Sequence, residues 1–177
     1  MSHEPGILPG SFRDPAGFLF ERDGSLYRQV NLGCRDDYDL LISSGLYRAL
    51  SERGLLVGHE DADIPPAVPE LAYKILRPRL IPFISYPYEW CFGQLQQAAL
   101  ATLEIQKTAL EFGMSLKDAS AFNIQFLDGR PVLIDTLSFE RLRPRPWVAY
   151  RQFCQHFLAP LLLVAAGGVE LGRLSRV

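Results

Sequence analysis

Residues 123–134 constrain the fold more than any other stretch of the chain. Asn123-Ile124-Gln125-Phe126-Leu127 alternates like a half-buried strand, Asp128-Gly129-Arg130-Pro131 carries turn chemistry, and Val132-Leu133-Ile134 is apolar and β-branched enough for a buried return strand. The expected antiparallel hairpin brings Asp118 and Asn123, at its entrance, close to Asp135 at its exit, although Asn123 lies five residues after Asp118 and Asp135 a further twelve. A carboxylate that can orient a hydroxyl, together with an amide and a second carboxylate as hard oxygen ligands, is a set suited to phosphoryl transfer with Mg²⁺. A plainer reading stands beside it: Asp118 caps a turn, Asn123 satisfies backbone groups and Asp135 ends a strand.

The order Asp118, Asn123, hairpin, strand, Asp135 resembles that of protein-kinase-like phosphotransferases. The resemblance implies a catalytic-loop role for Asp118 and metal ligation by Asn123 and Asp135. The chain departs from that pattern at Leu116, where a His or Tyr is usual, and at Thr136-Leu137, which replaces Phe-Gly. Upstream, residues 94–113 lack Pro and interior Gly and are rich in Ala, Leu, Gln and Glu, which predicts a helix. Leu95, Ala99, Leu103 and Leu110 recur near helical spacing, and Ala98, Ile105, Ala109 and Phe112 widen the apolar surface, so the helix is expected to be largely buried. Gly113 is its stop. A buried helix running into the loop is what the kinase-like C-lobe contains.

Before the helix, Ile75-Leu76, the turn Arg77-Pro78-Arg79, and Leu80-Ile81-Pro82-Phe83-Ile84 predict two short strands. Ser85 to Trp90 follows as an aromatic connector, the hinge in the kinase-like reading, with Tyr86 and Tyr88 as candidate cofactor-binding residues; a Pro-bent loop whose rings fill a core is the alternative. Nearer the amino terminus, Gly17–Glu21 and Leu26–Val30 flank an Asp23-Gly24 turn and predict a hairpin. Asp36 or Asp37 caps an expected helix through about Arg53, with Leu40, Leu41, Tyr47 and Leu50 inward and Gly54 as its stop. One hairpin and one helix make a reduced N-lobe. It has no Gly-x-Gly-x-x-Gly loop and no Lys on the hairpin strand; Arg28 is the nearest substitute for a phosphate-binding cation, with Glu52 as its partner and Lys74 as another candidate. Surface salt bridging is the competing role for each.

The 177 residues, 48% hydrophobic and 21% charged, suffice for one domain or two intimate lobes, and a net charge of −2 disfavours nucleic acid as a partner. Arg141, Arg143 and Arg145 cluster after Asp135 and could contact an anionic substrate, or simply form a solvated loop. Cys34, Cys91 and Cys154 imply no disulfide framework, and His3, His59 and His156 have no zinc-site spacing with them; Cys154 reads as a buried structural thiol. Residues 157–166 are apolar but short of a membrane span, and read as a core helix interrupted by Pro160. The first six residues lack signal-peptide features, so a cytoplasmic location is expected, and residues 169–177 present no recognisable closing element.

Longer strings, Leu26–Asn31, Ile84–Trp90, Met114–Asn123 and Trp147–Phe157, resemble the amino-terminal region of bacterial NoeA-type nodulation proteins or SAM-dependent methyltransferases over roughly residues 12 to 165. That resemblance implies a methyltransferase domain downstream, in cis, and SAM only there, since this chain shows no strand followed by a Gly-rich turn. The expectation is therefore an α+β, protein-kinase-like fold: a reduced N-lobe over 1–84, a hinge-like connector over 85–90, and a partial helical C-lobe with the catalytic-loop hairpin over 91–177 of a longer chain. The expected chemistry is ATP and Mg²⁺-dependent phosphorylation of a small-molecule or saccharide hydroxyl. A catalytically silent pseudokinase, or an accessory domain of a methyltransferase, is the alternative.

Overall fold

The structure, a computed structural model, describes residues 6–8 and 14–167. The readings of the extreme amino terminus and of residues 169–177 fall largely outside that range. The fold is α+β. Strands β1 (Gly6–Ile7), β2 (Gly17–Arg22), β3 (Ser25–Asn31), β4 (His59–Asp61) and β5 (Ala72–Pro78) form an antiparallel sheet in the order β1-β2-β3-β5-β4. The β2–β3 hairpin closes as expected: Asp23 (φ 51°) and Gly24 (φ 71°) both take the left-handed conformation that a two-residue type I′ turn demands. Residues 80–84 form no strand; the chain is a single strand through Pro78, so the expected pair of strands around Arg77-Pro78-Arg79 is corrected to one. With five strands and two helices, the amino-terminal part is fuller than one hairpin and one helix.

The helix expected through Arg53 is two, α1 (Arg35–Ser43) and α2 (Leu46–Glu52), broken at Gly45 (φ 88°). The reason is geometric. At about 100° per residue, Leu41 and Leu50 would lie on opposite sides of one straight helix, yet both are fully buried in the same core with Leu46. Breaking the axis lets all three reach it. Neither Asp36 nor Asp37 is the N-cap, which falls on Cys34; both acids stand in the first turn of α1, where they favourably face the helix dipole.

Helix α3 (Phe92–Glu111) ends before Gly113 (φ 72°) as its sequence implies, but its inward face differs. Ala98, Ala99, Ile105 and Ala109 are buried as expected, whereas Leu103 and Leu110 are exposed and the polar Thr102 and Gln106 are buried. Alanines admit close packing, and Gln106 is drawn inward by hydrogen bonds: its Oε1 accepts from Leu116 N–H at 2.8 Å and its amide donates to Ser115 Oγ at 3.1 Å. Strand β6 (Met114–Leu116), thus held, pairs with β9 (Phe139–Arg141), and β7 (Ile124–Leu127) pairs with β8 (Arg130–Leu133) around a second Asp-Gly turn, Asp128 (φ 52°) and Gly129 (φ 76°). After β9 come α4 (Tyr150–Phe153), a π-helical turn (Cys154–Leu158) and α5 (Ala159–Gly167). Of the expected core helix over 157–166, Phe157 is fully buried and Leu161 packs against the main core, but no residue of α5 itself is fully buried. Cys154 is only partly buried, whereas Cys34 is the buried thiol.

Two devices fix the sheet half against the hairpin half. Leu133 exchanges backbone hydrogen bonds with the segment after α2, accepting from Val57 N–H at 2.8 Å and donating to Leu55 O at 2.9 Å. Gln125, buried on β7, accepts from Ser85 N–H at 2.9 Å and donates to Ser85 O at 3.0 Å, which pins the aromatic connector to the hairpin. Among the described residues no helix is long and apolar enough to cross a membrane.

Candidate functional site

The hairpin and the sheet meet at Asp135. Residues 134–138 leave β8 and turn beneath the sheet, where Leu137 is buried with Ala16, Val30, Cys34, Tyr38 and Leu76. The approach is close: a Cβ added to Gly17 would stand 2.7 Å from Leu137 Cδ1 and 2.2 Å from Gln29 O. Anchored this way, Asp135 is buried and forms an ion pair with Arg28 of β3. Its Oδ2 accepts from Ser138 Oγ at 2.6 Å and its Oδ1 from Leu137 N–H at 3.1 Å. Burial alone would raise the Asp135 carboxyl, but the Arg28 guanidinium and these hydrogen bonds outweigh it and hold the group below the usual carboxylate range. The sequence-based partner of Arg28, Glu52, instead pairs with Arg48 one helical turn away, and Lys74 pairs with Asp61 across β5 and β4.

Ser138 links the remaining candidates. Asn123 Nδ2 donates to its hydroxyl at 3.4 Å, and its carbonyl accepts from Lys117 N–H at 2.8 Å. Asn123 also accepts from Ile134 N–H through its own carbonyl at 2.8 Å. Asn123 and Asp135 are thus joined through one hydroxyl. Asp118, next to Lys117, turns its Oδ1 onto Ser120 N–H at 2.9 Å. Lys117 reaches across to α1, with Nζ 3.9 Å from Asp37 Oδ2 and 3.9 Å from Cys34 Sγ. Asp14 adds a further acid to this group: burial raises its carboxyl foremost and Asp135 contributes, while Ala16 N–H, Arg28 and Lys117 pull the other way.

Beside Arg28 opens a mostly apolar cavity of about 210 Å³, walled by Leu19, Leu26, Val57 and Leu76, by Leu80, Ile81 and Ile84 of the segment before the connector, and by Ile134 and Thr136 on either side of Asp135. Tyr86 and Tyr88 stack on each other in near-parallel planes, centroids 5.4 Å apart and both exposed, and neither lines this cavity. His59 lies at its edge. Burial lowers the imidazole pKa to about 4; Nε2 lies 3.0 Å from Tyr38 Oη, while Nδ1 has no hydrogen-bond partner. Among the described residues no three His, Cys, Asp or Glu side chains are grouped to hold a metal ion. Of the cluster Arg141, Arg143 and Arg145, Arg145 is engaged by Glu140 at 2.6 Å.

Sequence reasoning did not single out Ser138, Asp14 or His59. The sequence marks Asp135 and Thr136-Leu137 but not Ser138, because a Ser three residues after an Asp is common turn chemistry. His59 had no neighbour in sequence to mark it; Tyr38 and Tyr47 reach it only through the fold.

No protein-family model matches the chain. The chain is similar to the nodulation protein NoeA of Rhizobium meliloti (strain 1021), with 37% identity over an alignment of 164 residues that covers 90% of this chain and 34% of that protein. It thus spans about a third of the length of that curated relative.

Proposed function

We propose that the chain is a kinase-like module that binds ATP with Mg²⁺ and transfers a phosphoryl group to a hydroxyl of a small molecule or saccharide, in a nodulation-related context. One observation carries the reading: Arg28 from the sheet and Asp135 from beyond the hairpin meet at the edge of an apolar cavity, with Asn123 joined to Asp135 through Ser138. The cavity's about 210 Å³ is below the roughly 300 Å³ at which common ligand pockets begin, a size suited to a flat base rather than a whole nucleotide. In this reading the base lies between Leu19, Leu76 and Ile134, the phosphates run toward Arg28, Asn123 and Asp135 hold Mg²⁺ as hard oxygen ligands, and Asp118 orients the acceptor hydroxyl.

A second reading, a catalytically silent pseudokinase or accessory module of a methyltransferase in cis, is favoured by the engagement of Arg28 with Asp135, which commits the cation and a metal ligand to each other. Thermal shift with ATP and Mg²⁺, ATP and EDTA, and SAM tests the binding step, since a ligand that binds the native state raises apparent stability. A shift with ATP and Mg²⁺ alone supports nucleotide binding. Phosphate transfer to a saccharide panel then separates the two readings, and a response to SAM alone overturns both nucleotide assignments.

A further inference from the structure

The loop that carries Asp118 has every backbone N–H from Ala119 to Asn123 assigned to an acceptor. Three of these acceptors lie within the loop: Ser120 N–H donates to Asp118 Oδ1 at 2.9 Å, Phe122 N–H to Ser120 Oγ at 3.2 Å, and Asn123 N–H to Ser120 O at 3.1 Å. The other two come from more than thirty residues away. Ala119 N–H donates to Gln152 Oε1 at 2.7 Å, and Ala121 N–H to His156 Nδ1 at 3.2 Å, with Ser120 Oγ also 3.2 Å from that nitrogen.

The placement of these two acceptors follows from the core. Gln152 lies in α4 and His156 in the π-helical turn, each immediately before a phenylalanine, Phe153 and Phe157, that is buried in the main core. Anchoring the phenylalanines fixes the roll of the helix, and so fixes which side chains face the loop. A π turn inside a helix costs regular hydrogen bonding and recurs at functional positions. For Nδ1 to accept, the imidazole must be neutral with its proton on Nε2.

We propose that Gln152 and His156 are positioning residues for Asp118, holding the amides on either side of Ser120 so that the Asp118 carboxylate keeps one orientation. The assignment rests on the reading of Asp118 as the group that orients the acceptor hydroxyl. Asp118 is fixed from two directions: Gln152 holds the peptide that follows it, and Ser120, whose N–H holds its carboxylate, is itself held by His156. Neither side chain touches the cavity or Asp135.

The test uses the 177-residue chain and four variants, Gln152→Ala, Gln152→Glu, His156→Ala and His156→Asn. Glu and Asn keep an acceptor oxygen where Gln Oε1 and His Nδ1 stand. Amide hydrogen exchange is read at Ala119 and Ala121, with the carboxyl chemical shift of Asp118 as a second readout. Loss of one such hydrogen bond is expected to speed exchange at its own amide by about tenfold. Gln152→Ala is expected to do so at Ala119 and His156→Ala at Ala121, both moving the Asp118 signal, while the Glu and Asn variants return each toward the wild-type value. Exchange and carboxyl signal unchanged in both Ala variants overturn the proposal. Equal acceleration across the whole domain, which a merely structural role would give, also overturns it. These readouts need no turnover, so a wild-type chain without phosphotransfer activity counts against the kinase-like reading and leaves the positioning result standing. Where turnover is measured, the Ala variants are expected to lower kcat with little change in KM for nucleotide.

Discussion

Arg28 and Asp135 lie 107 residues apart and form a partly buried ion pair that joins the central sheet to the loop after the hairpin. Its energetics are asymmetric. Removing one partner strands a charge away from water, whereas replacing both with apolar groups removes the problem altogether. Arg28→Ala is expected to destabilise the fold by about 2–3 kcal/mol in urea denaturation, less than for a fully desolvated pair, because Asp135 is left with only Ser138 Oγ and Leu137 N–H. The double variant Arg28→Met, Asp135→Leu is expected to lose clearly less than Arg28→Ala. Equal losses would mean that the pair is not desolvated.

Gly17 makes the same junction possible by having no side chain. An added Cβ meets a backbone oxygen at 2.2 Å, which cannot swing aside as a flexible side chain can. Gly17→Ala is expected to cost at least the about 1–3 kcal/mol of a typical overpacked core, whereas Gly6→Ala, with nothing within 4 Å, is expected to be near neutral. Comparing the two urea midpoints checks this.

His59 gives the fold a pH dependence of known sign. Its folded pKa, about 4, lies below the model-compound 6.5, so the unfolded chain binds the proton first as pH falls. Stability from the neutral imidazole is complete above pH 6.5 and is lost progressively as pH falls toward 4. The loss is expected to total on the order of 2 kcal/mol after allowing for partial solvent screening. His59→Phe is expected to make the stability profile less steep between pH 6.5 and 4, with a residual slope from His156, whose imidazole pKa is also lowered by burial, read by denaturation at stepped pH. A wild-type profile that is flat there would show the imidazole to be solvated.

What the sequence made legible was local. Both Asp-Gly hairpins, the helix ending before Gly113 and the adjacency of Asn123 and Asp135 follow from turn chemistry and short-range alternation, which act within a few residues. The partner of Arg28, the inward roll of α3 and the break at Gly45 depended on contacts between distant segments. Leu103 and Leu110 fit a helical stripe as well as Ala98 and Ile105 do, and only the need of β6 for Gln106 and of the core for small residues decides between them. The loop acceptors Gln152 and His156 were invisible for the same reason: a single polar side chain has no periodicity to betray its partner.

Asp118 and Asp135 differ in burial and partners, and substituting each by Asn separates their roles. Asp135→Asn exchanges a charged hard-oxygen ligand for a neutral amide and leaves Arg28 without its counter-ion, so it is expected to weaken Mg²⁺-dependent nucleotide binding at least tenfold, by calorimetry, and to lower stability as well. Asp118 is only partly buried and its carboxylate is bonded to a neighbouring amide, so Asp118→Asn can keep the turn through its side-chain oxygen. Nucleotide binding is expected to stay within about twofold, with phosphotransfer reduced by a hundredfold or more, since the amide cannot accept the hydroxyl proton. Turnover unchanged in Asp118→Asn would remove Asp118 from the mechanism. Binding by the wild type without transfer to any acceptor would assign the chain to the silent class, in which the Asp135 substitution alone has a measurable effect on the nucleotide.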